Sequence, residues 1–303
     1  MCKNIVKKAN LPHPVLIYDI LEERTRAIHE SLGPQRMIIA QSIGEATSKA
    51  DVIFFSVPND EAVRAVMDQI LAAGVAGKVV VNCSTVHPDT SAQEAGAVTA
   101  AGGSFVACPV FGSAQMAEAG QIVAVLASDT PAAADKVMPL CKGVMARDVI
   151  DVCSGGRGDG DAAAAATTAA RGPLLLKIIG NMFALNIATA LAEAHVLAEK
   201  AGLGSDQFHQ FVQTLFPGPS AAYSHAMLSG SYHRQQKPQG PALLAKKDAQ
   251  YAQSLASEAG VRLRTLEVAQ HYVGAVLQHK GDDGAMAGVY GAARLEAGLP
   301  YEN

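Results

Sequence analysis

The chain has 303 residues, with 24 Lys+Arg against 28 Asp+Glu, a formal net charge of −4 and no long basic run. That charge pattern argues against nucleic acid or an acidic membrane as partner. With 49% hydrophobic residues and 28 glycines it can bury a sizeable core, and its length suits two domains better than one.

The first half alternates short β-type runs with helical segments. "VLIY" (15–18), "RMIIA" (36–40), "VIFFSV" (52–57), "KVVVNC" (78–83), "SFVACPV" (104–110) and "QIVAVLA" (121–127) predict buried strands. Helices are expected at about 21–31, 42–50, 60–73, 88–101 and 131–142. "SIGE" at Ser42–Glu45 has capping-box spacing, and Pro88 suits a first helical turn. This alternation predicts a doubly wound, mostly parallel sheet over residues 1–152.

A change of composition follows. "CSGGRGDGDAAAAATTAARG" (153–172) mixes glycine, aspartate and alanine, and is expected to be a linker or inserted loop between domains. Residues 173–303 predict an all-helical domain. It opens on a long segment, "PLLLKIIGNMFALNIATALAEAHVLAEKAGLG", apolar on several faces, as in a core helix or one buried in a homodimer. Shorter helices are expected at about 205–215, 220–229, 241–259, 263–279 and 285–297, several ending near Gly202, Gly260 and Gly298.

Five cysteines (Cys2, Cys83, Cys108, Cys141, Cys153) are odd in number, scattered and without metal-type spacing, as for reduced thiols in a cytoplasmic protein. The first ten residues are too short and polar for a signal peptide, and no uninterrupted apolar run reaches the roughly 18 residues of a membrane span. The histidines lack H-E-x-x-H or Cys/His spacing, so no metal is expected. No G-x-S-x-G elbow or phosphate-binding P-loop is present.

Several residues carry possible chemistry, each with a plain structural reading beside it. Lys177, flanked by leucines and isoleucines, either snorkels to water or lines a cleft, and Asn181 lies one turn on along the same helical face. Ser84 and Thr85 precede the Pro88 helix, as a simple cap or an anion site for a carboxylate. Pro58 and Asn59 follow a strand end, where ligands bind in open α/β sheets. Gly112 and Ser113 leave a strand into a polar, helix-like turn, and Lys247 and Asp248 read alone as a solvated charged patch. Asp19 ends the first strand, where a dinucleotide fold places the acid that holds a ribose.

Taken in order, four segments resemble the β-hydroxyacid dehydrogenase family, which is related to 6-phosphogluconate dehydrogenase. "NCSTVHPDTS" is similar to D-x-S-T-x-x-P-x-x-S, and "PVFGSAQMAEAG" to P-V-S-G-x-x-x-A-x-x-G. "GPLLLKIIGN" is similar to G-x-x-x-K-x-x-x-N, and "KKDAQYAQ" to K-D-x-x-x-A. The resemblance implies a Rossmann-type domain, a helical substrate and dimerisation domain, and hydride transfer between NAD or NADP and a small hydroxy or oxo acid. It implies Lys177 as acid/base and Asn181 as its orienting partner. Ser84, Thr85, Gly112 and Ser113 would hold the substrate carboxylate. Pro58 and Asn59 would line the nicotinamide, and Lys247 and Asp248 would close the cleft. Asp19 at the ribose favours NAD, although Arg24 and Arg26 lie near enough to receive a 2′-phosphate.

The sequence departs from the family pattern in four places. Asn82 stands for the usual acid and Phe111 for a serine, which suits a more apolar substrate. The 153–172 stretch is long. No glycine precedes Asp19, and "MCKNIV" is similar to the first helix beyond the family's G-x-G-x-x-G turn. The expected sheet therefore lacks its first strand and that turn, which leaves ladder groups unpaired on the strands at 15–18 and 52–57, so either those strands close up or the sequence is an incomplete product. That gap also leaves room for a second reading, a catalytically weak homologue with an assembly role.

Overall fold

In the computed structural model the described residues are 1–152, 162–235, 238 and 240–303. They form two compact units, Met1–Lys177 and Ile178–Asn303.

The first unit begins with α1 (Cys2–Lys8), β1 (Val15–Ile17), α2 (Glu22–Leu32), β2 (Met37–Ile39) and α3 (Ile43–Lys49). It continues through β3 (Val52–Phe55), α4 (Asp60–Ala72), β4 (Val79–Asn82), α5 (Pro88–Ala100), β5 (Ser104–Ala107) and β6 (Val110–Phe111). Then come α6 (Ala114–Ala119), β7 (Ile122–Ser128), α7 (Pro131–Cys141), β8 (Ala146–Asp151) and the start of α8 (Ala162–Lys200). The Ser42 hydroxyl accepts from Glu45 N–H while Glu45 accepts from Gln41 N–H, so the expected cap starts α3. Pro88 takes the first turn of α5.

The parallel strands divide into two sheets. Among the described residues β1 and β2 pair only with each other, in register from Val15↔Met37 to Ile17↔Ile39. The larger sheet runs β3-β4-β5-β7-β6, with β8 on β7. Among the described residues no ladder joins β1 to β3. β5 and β6 are one extended run broken at Cys108–Pro109, where proline has no N–H to donate. Both pair antiparallel with β7.

Alternation along β4 shows why the larger sheet is doubly wound. Val79 and Val81 face a core with Cys83, Val106, Cys108, Leu126 and the α7 residues Val137 and Cys141. Val80 faces the opposite core, formed by Val63, Met67 and Ile70 of α4, Val98 of α5, and Ala170 and Leu174 of α8. Four of the cysteines are free, and hydrogen bonding with Cys141 and Cys83, together with burial, holds the Cys108 thiol well above the usual range. Cys153 lies outside the described residues.

Part of the expected linker, 153–161, also lies outside the described residues. From Ala162 the backbone is already helical, and α8 continues to Lys200. The alanine run, the best helix former, outweighs the neighbouring glycine and aspartate signals there. Ala169–Lys200 is long and apolar enough to cross a membrane by length and composition alone, a test that a soluble protein's core helix also meets.

The second unit adds α9 (Ser205–Leu215), α10 (Pro219–Leu228), α11 (Ser231–Arg234), α12 (Ala242–Glu258), α13 (Arg264–Lys280) and α14 (Val289–Glu296). Its core gathers Ile178, Leu185 and Ala192 of α8 with Ala249, Leu266, Val273, Val276 and Tyr290. Gly202, Gly260 and Gly298 close their helices at positive φ, as expected for that residue.

Candidate active site

In the first unit the loops that leave β3 and β4 are knitted together by side chains. Ser84, buried after β4, accepts a hydrogen bond from Val57 N–H at 2.9 Å. Asn82 Oδ1 accepts from Ser84 N–H at 2.8 Å, and its Nδ2 donates to Glu94 Oε2 on α5 at 3.0 Å. Asp60 Oδ1 accepts from His87 N–H and from the Thr90 hydroxyl. Pro58 and Asn59 are exposed on the β3 loop, and Thr85 is half-buried on the β4 loop. The Asn59 side chain accepts from Ala62 N–H and so caps α4.

Glu94 was not flagged by its sequence. It is 5% exposed. Burial pushes its carboxyl up to about 7 and Asp60 adds to the rise, while the Asn82 donor and Arg64 pull it back. Asn82, standing where the family has an acid, therefore bridges a protonatable carboxyl beneath the sheet to the backbone of the Ser84 loop.

Helix α8 reaches this region anchored to α5. The Ser91 hydroxyl donates to Ala170 O at 3.0 Å, Arg171 pairs with Asp89, and Leu174 is buried in the sheet core. Along the same helix Lys177 is 7% exposed. Its Nζ stands over the Phe111 ring, 4.3 Å from the centroid. Phe111 pairs with Val123 of β7. Gly112 follows with φ +135°, and a Cβ there would meet Ile122 Cγ2 at 2.8 Å, so only glycine fits this turn. The Ser113 hydroxyl accepts from Met116 N–H and starts α6, which makes the polar turn a short helix.

In the second unit Asn181 Nδ2 donates to Asp248 Oδ2 at 2.6 Å. Lys247 Nζ lies 3.4 Å from Asp248 Oδ1 and 5.2 Å from the Tyr251 ring centroid. Lys247 and Asp248 are not a solvated patch: their side chains are 18% and 11% exposed. Adjacent helical positions diverge, yet the long lysine stem turns back to its neighbour.

Asp19 follows β1 of the smaller sheet. Its Oδ1 accepts from Leu21 N–H, and Arg24 lies 3.8 Å from Oδ2. Beside it a cavity of about 180 Å³ is lined by Tyr18, Thr25, Arg26, Ala40 and Gln41 among others. A strand-end carboxylate next to a cavity fits the ribose end of a dinucleotide. Among the described residues no three His, Cys, Asp or Glu side chains converge as a metal set.

Comparison with known proteins gives the same outline. The family model described as the NAD binding domain of 6-phosphogluconate dehydrogenase matches residues 1–154. That described as NAD-binding of NADP-dependent 3-hydroxyisobutyrate dehydrogenase matches residues 174–293. The NADH-dependent oxidoreductase ucdB of Aspergillus ustus is 27% identical over 302 residues, 99% of this chain and 97% of that protein. The 2-(hydroxymethyl)glutarate dehydrogenase of Eubacterium barkeri is 30% identical over 216 residues, 70% of this chain and 63% of that enzyme. The 3-hydroxyisobutyrate dehydrogenase of Mycobacterium tuberculosis shares the fold, with a TM-score of 0.76 at 20% identity over 96% of this chain and 94% of that one. The chain belongs to the β-hydroxyacid dehydrogenase family of NAD(P)-dependent oxidoreductases.

Proposed function

We propose that the protein transfers hydride between a nicotinamide cofactor and a small hydroxy or oxo acid, with Lys177 as acid/base. The observation that carries this reading is a buried lysine on an apolar helix that is tied, one to two turns earlier, to the start of α5. A lysine so placed can exchange a proton with an alcohol or carbonyl oxygen. The bound cofactor supplies the hydride. Lys177 moves the proton, and Asn181, held by Asp248, orients the substrate. Ser84, Thr85, Gly112 and Ser113 hold the substrate carboxylate, using hydroxyls and backbone N–H groups beside the helix starts. Pro58 and Asn59 line the nicotinamide side, and Lys247 and Asp248 close over the cofactor.

NAD is the preferred cofactor in this reading, because the Asp19 carboxylate would repel a 2′-phosphate and Arg24 is already paired with it. The relatives point both ways, one described as NADH-dependent and one domain as NADP-dependent. Fluorescence titration of the whole chain is expected to give saturable NADH binding, with NADPH about tenfold weaker and Asp19→Ala narrowing the gap. Failure of both cofactors to bind would leave the weak-homologue reading standing.

The reading includes a cytoplasmic homodimer. Free buried thiols support the compartment. Ile179, Phe183 and Leu197, 54%, 63% and 67% exposed, form an apolar stripe on α8 suited to a second copy. Light scattering should return twice the chain mass, and Phe183→Glu should halve it.

A further inference from the structure

Phe111 is where this chain departs from the family's P-V-S-G pattern, and it is also the residue beneath the Lys177 ammonium. A serine there would offer a hydroxyl able to bond a lysine in either protonation state. An aromatic face differs: its negative quadrupole attracts the ammonium and offers little to the neutral amine. Burial acts the opposite way, since low exposure, 7% for Lys177, disfavours a charged form. The ring is held firmly enough to matter, because Phe111 pairs with Val123 and the Gly112 turn behind it admits no side chain.

We propose that Phe111 is a positioning residue for Lys177: its ring holds the ammonium over its face and thereby sets the pH at which the lysine gives up its proton. The catalytic consequence rests on the reading of Lys177 as acid/base; the contact does not. In the reducing direction Lys177 Nζ–H gives its proton to the substrate oxygen, and the neutral amine left behind loses the ring's attraction until solvent reprotonates it. In the oxidising direction the ring opposes formation of the amine that must accept the hydroxyl proton. Removing the ring therefore lowers the pH at which oxidation switches on, and also the pH at which reduction switches off.

The test uses Phe111→Leu, which keeps apolar bulk without a π face, and Phe111→Tyr, which restores the ring. Carbon-labelled lysine gives an NMR signal for Lys177, identified by its loss in Lys177→Met. In the wild-type chain and in Phe111→Tyr the Cε protons should be shifted upfield by the ring current and titrate together. In Phe111→Leu that upfield shift should vanish and the titration move down by about 0.5–1.5 pH units. The kcat profile for oxidation should move by the same amount. An unchanged titration in Phe111→Leu, or an equal shift in Phe111→Tyr, overturns the proposal. Absence of turnover in every form would sink the oxidoreductase reading instead, with the lysine signal still deciding the contact.

Discussion

Replacing Lys177 by methionine is expected to lower turnover by about 10²–10⁴-fold while leaving nicotinamide affinity unchanged. Methionine matches the length of the lysine stem and suits a position that is 7% exposed, so the fold tolerates it. What it lacks is the ammonium proposed to trade a proton with the substrate oxygen. The cofactor's ribose end is proposed to lie at Asp19, past the end of β1 in the other sheet, so binding and chemistry should separate in one variant. Single-turnover rates beside a fluorescence titration read both quantities. Turnover within about tenfold of wild type would remove Lys177 from the chemistry.

Glu94→Gln is expected to stabilise the protein increasingly as pH rises. In the folded chain burial pushes the Glu94 carboxyl up to about 7, against an ordinary value of 4.5. A raised carboxyl means that the native state binds the proton more tightly than the unfolded chain does. The favourable contribution is therefore complete below pH 4.5 and is lost as pH climbs through 7, by up to about 3 kcal/mol. Glutamine keeps the shape and the acceptor for Asn82 Nδ2 but never ionises. At pH 5 the variant and the wild type should melt within a few degrees of each other. At pH 8 the variant should melt about 5–10 °C higher. An equal difference at both pH values would show that Glu94 does not carry its proton into the folded state.

The fold was largely legible where local chemistry and tertiary environment agree. "KVVVNC" is an apolar run ending at a helix start, and it is β4, buried on both faces. β8 was missed because "ARDVID" carries three charges in six residues without a period-2 alternation, and its place beside β7 depends on a partner distant in the chain. The same reason hid part of the site. Lys177 and Asn181 could be paired by helical spacing, whereas nothing local says that Phe111 lies under the lysine or that Asp248 receives Asn181. Glu94 in "QEAG" looks like any surface glutamate. Its burial follows from the packing of α5 on the sheet, with only the unusual Asn82 as a hint that something there needed a donor.

The division of the parallel strands gives Asp19 and Ser84 different surroundings. β4 is flanked on both sides, by β3 and β5, whereas among the described residues β1 has β2 alone. A two-stranded sheet of three residues per strand is marginal by itself and opens at a lower free energy than a six-stranded one. Asp19 thus follows a strand with one ladder partner among the described residues, and Ser84 a strand with two. Whatever engages Asp19 must first select the closed conformers of β1–β2, so its apparent affinity is the intrinsic one reduced by the fraction of molecules in which that sheet is formed.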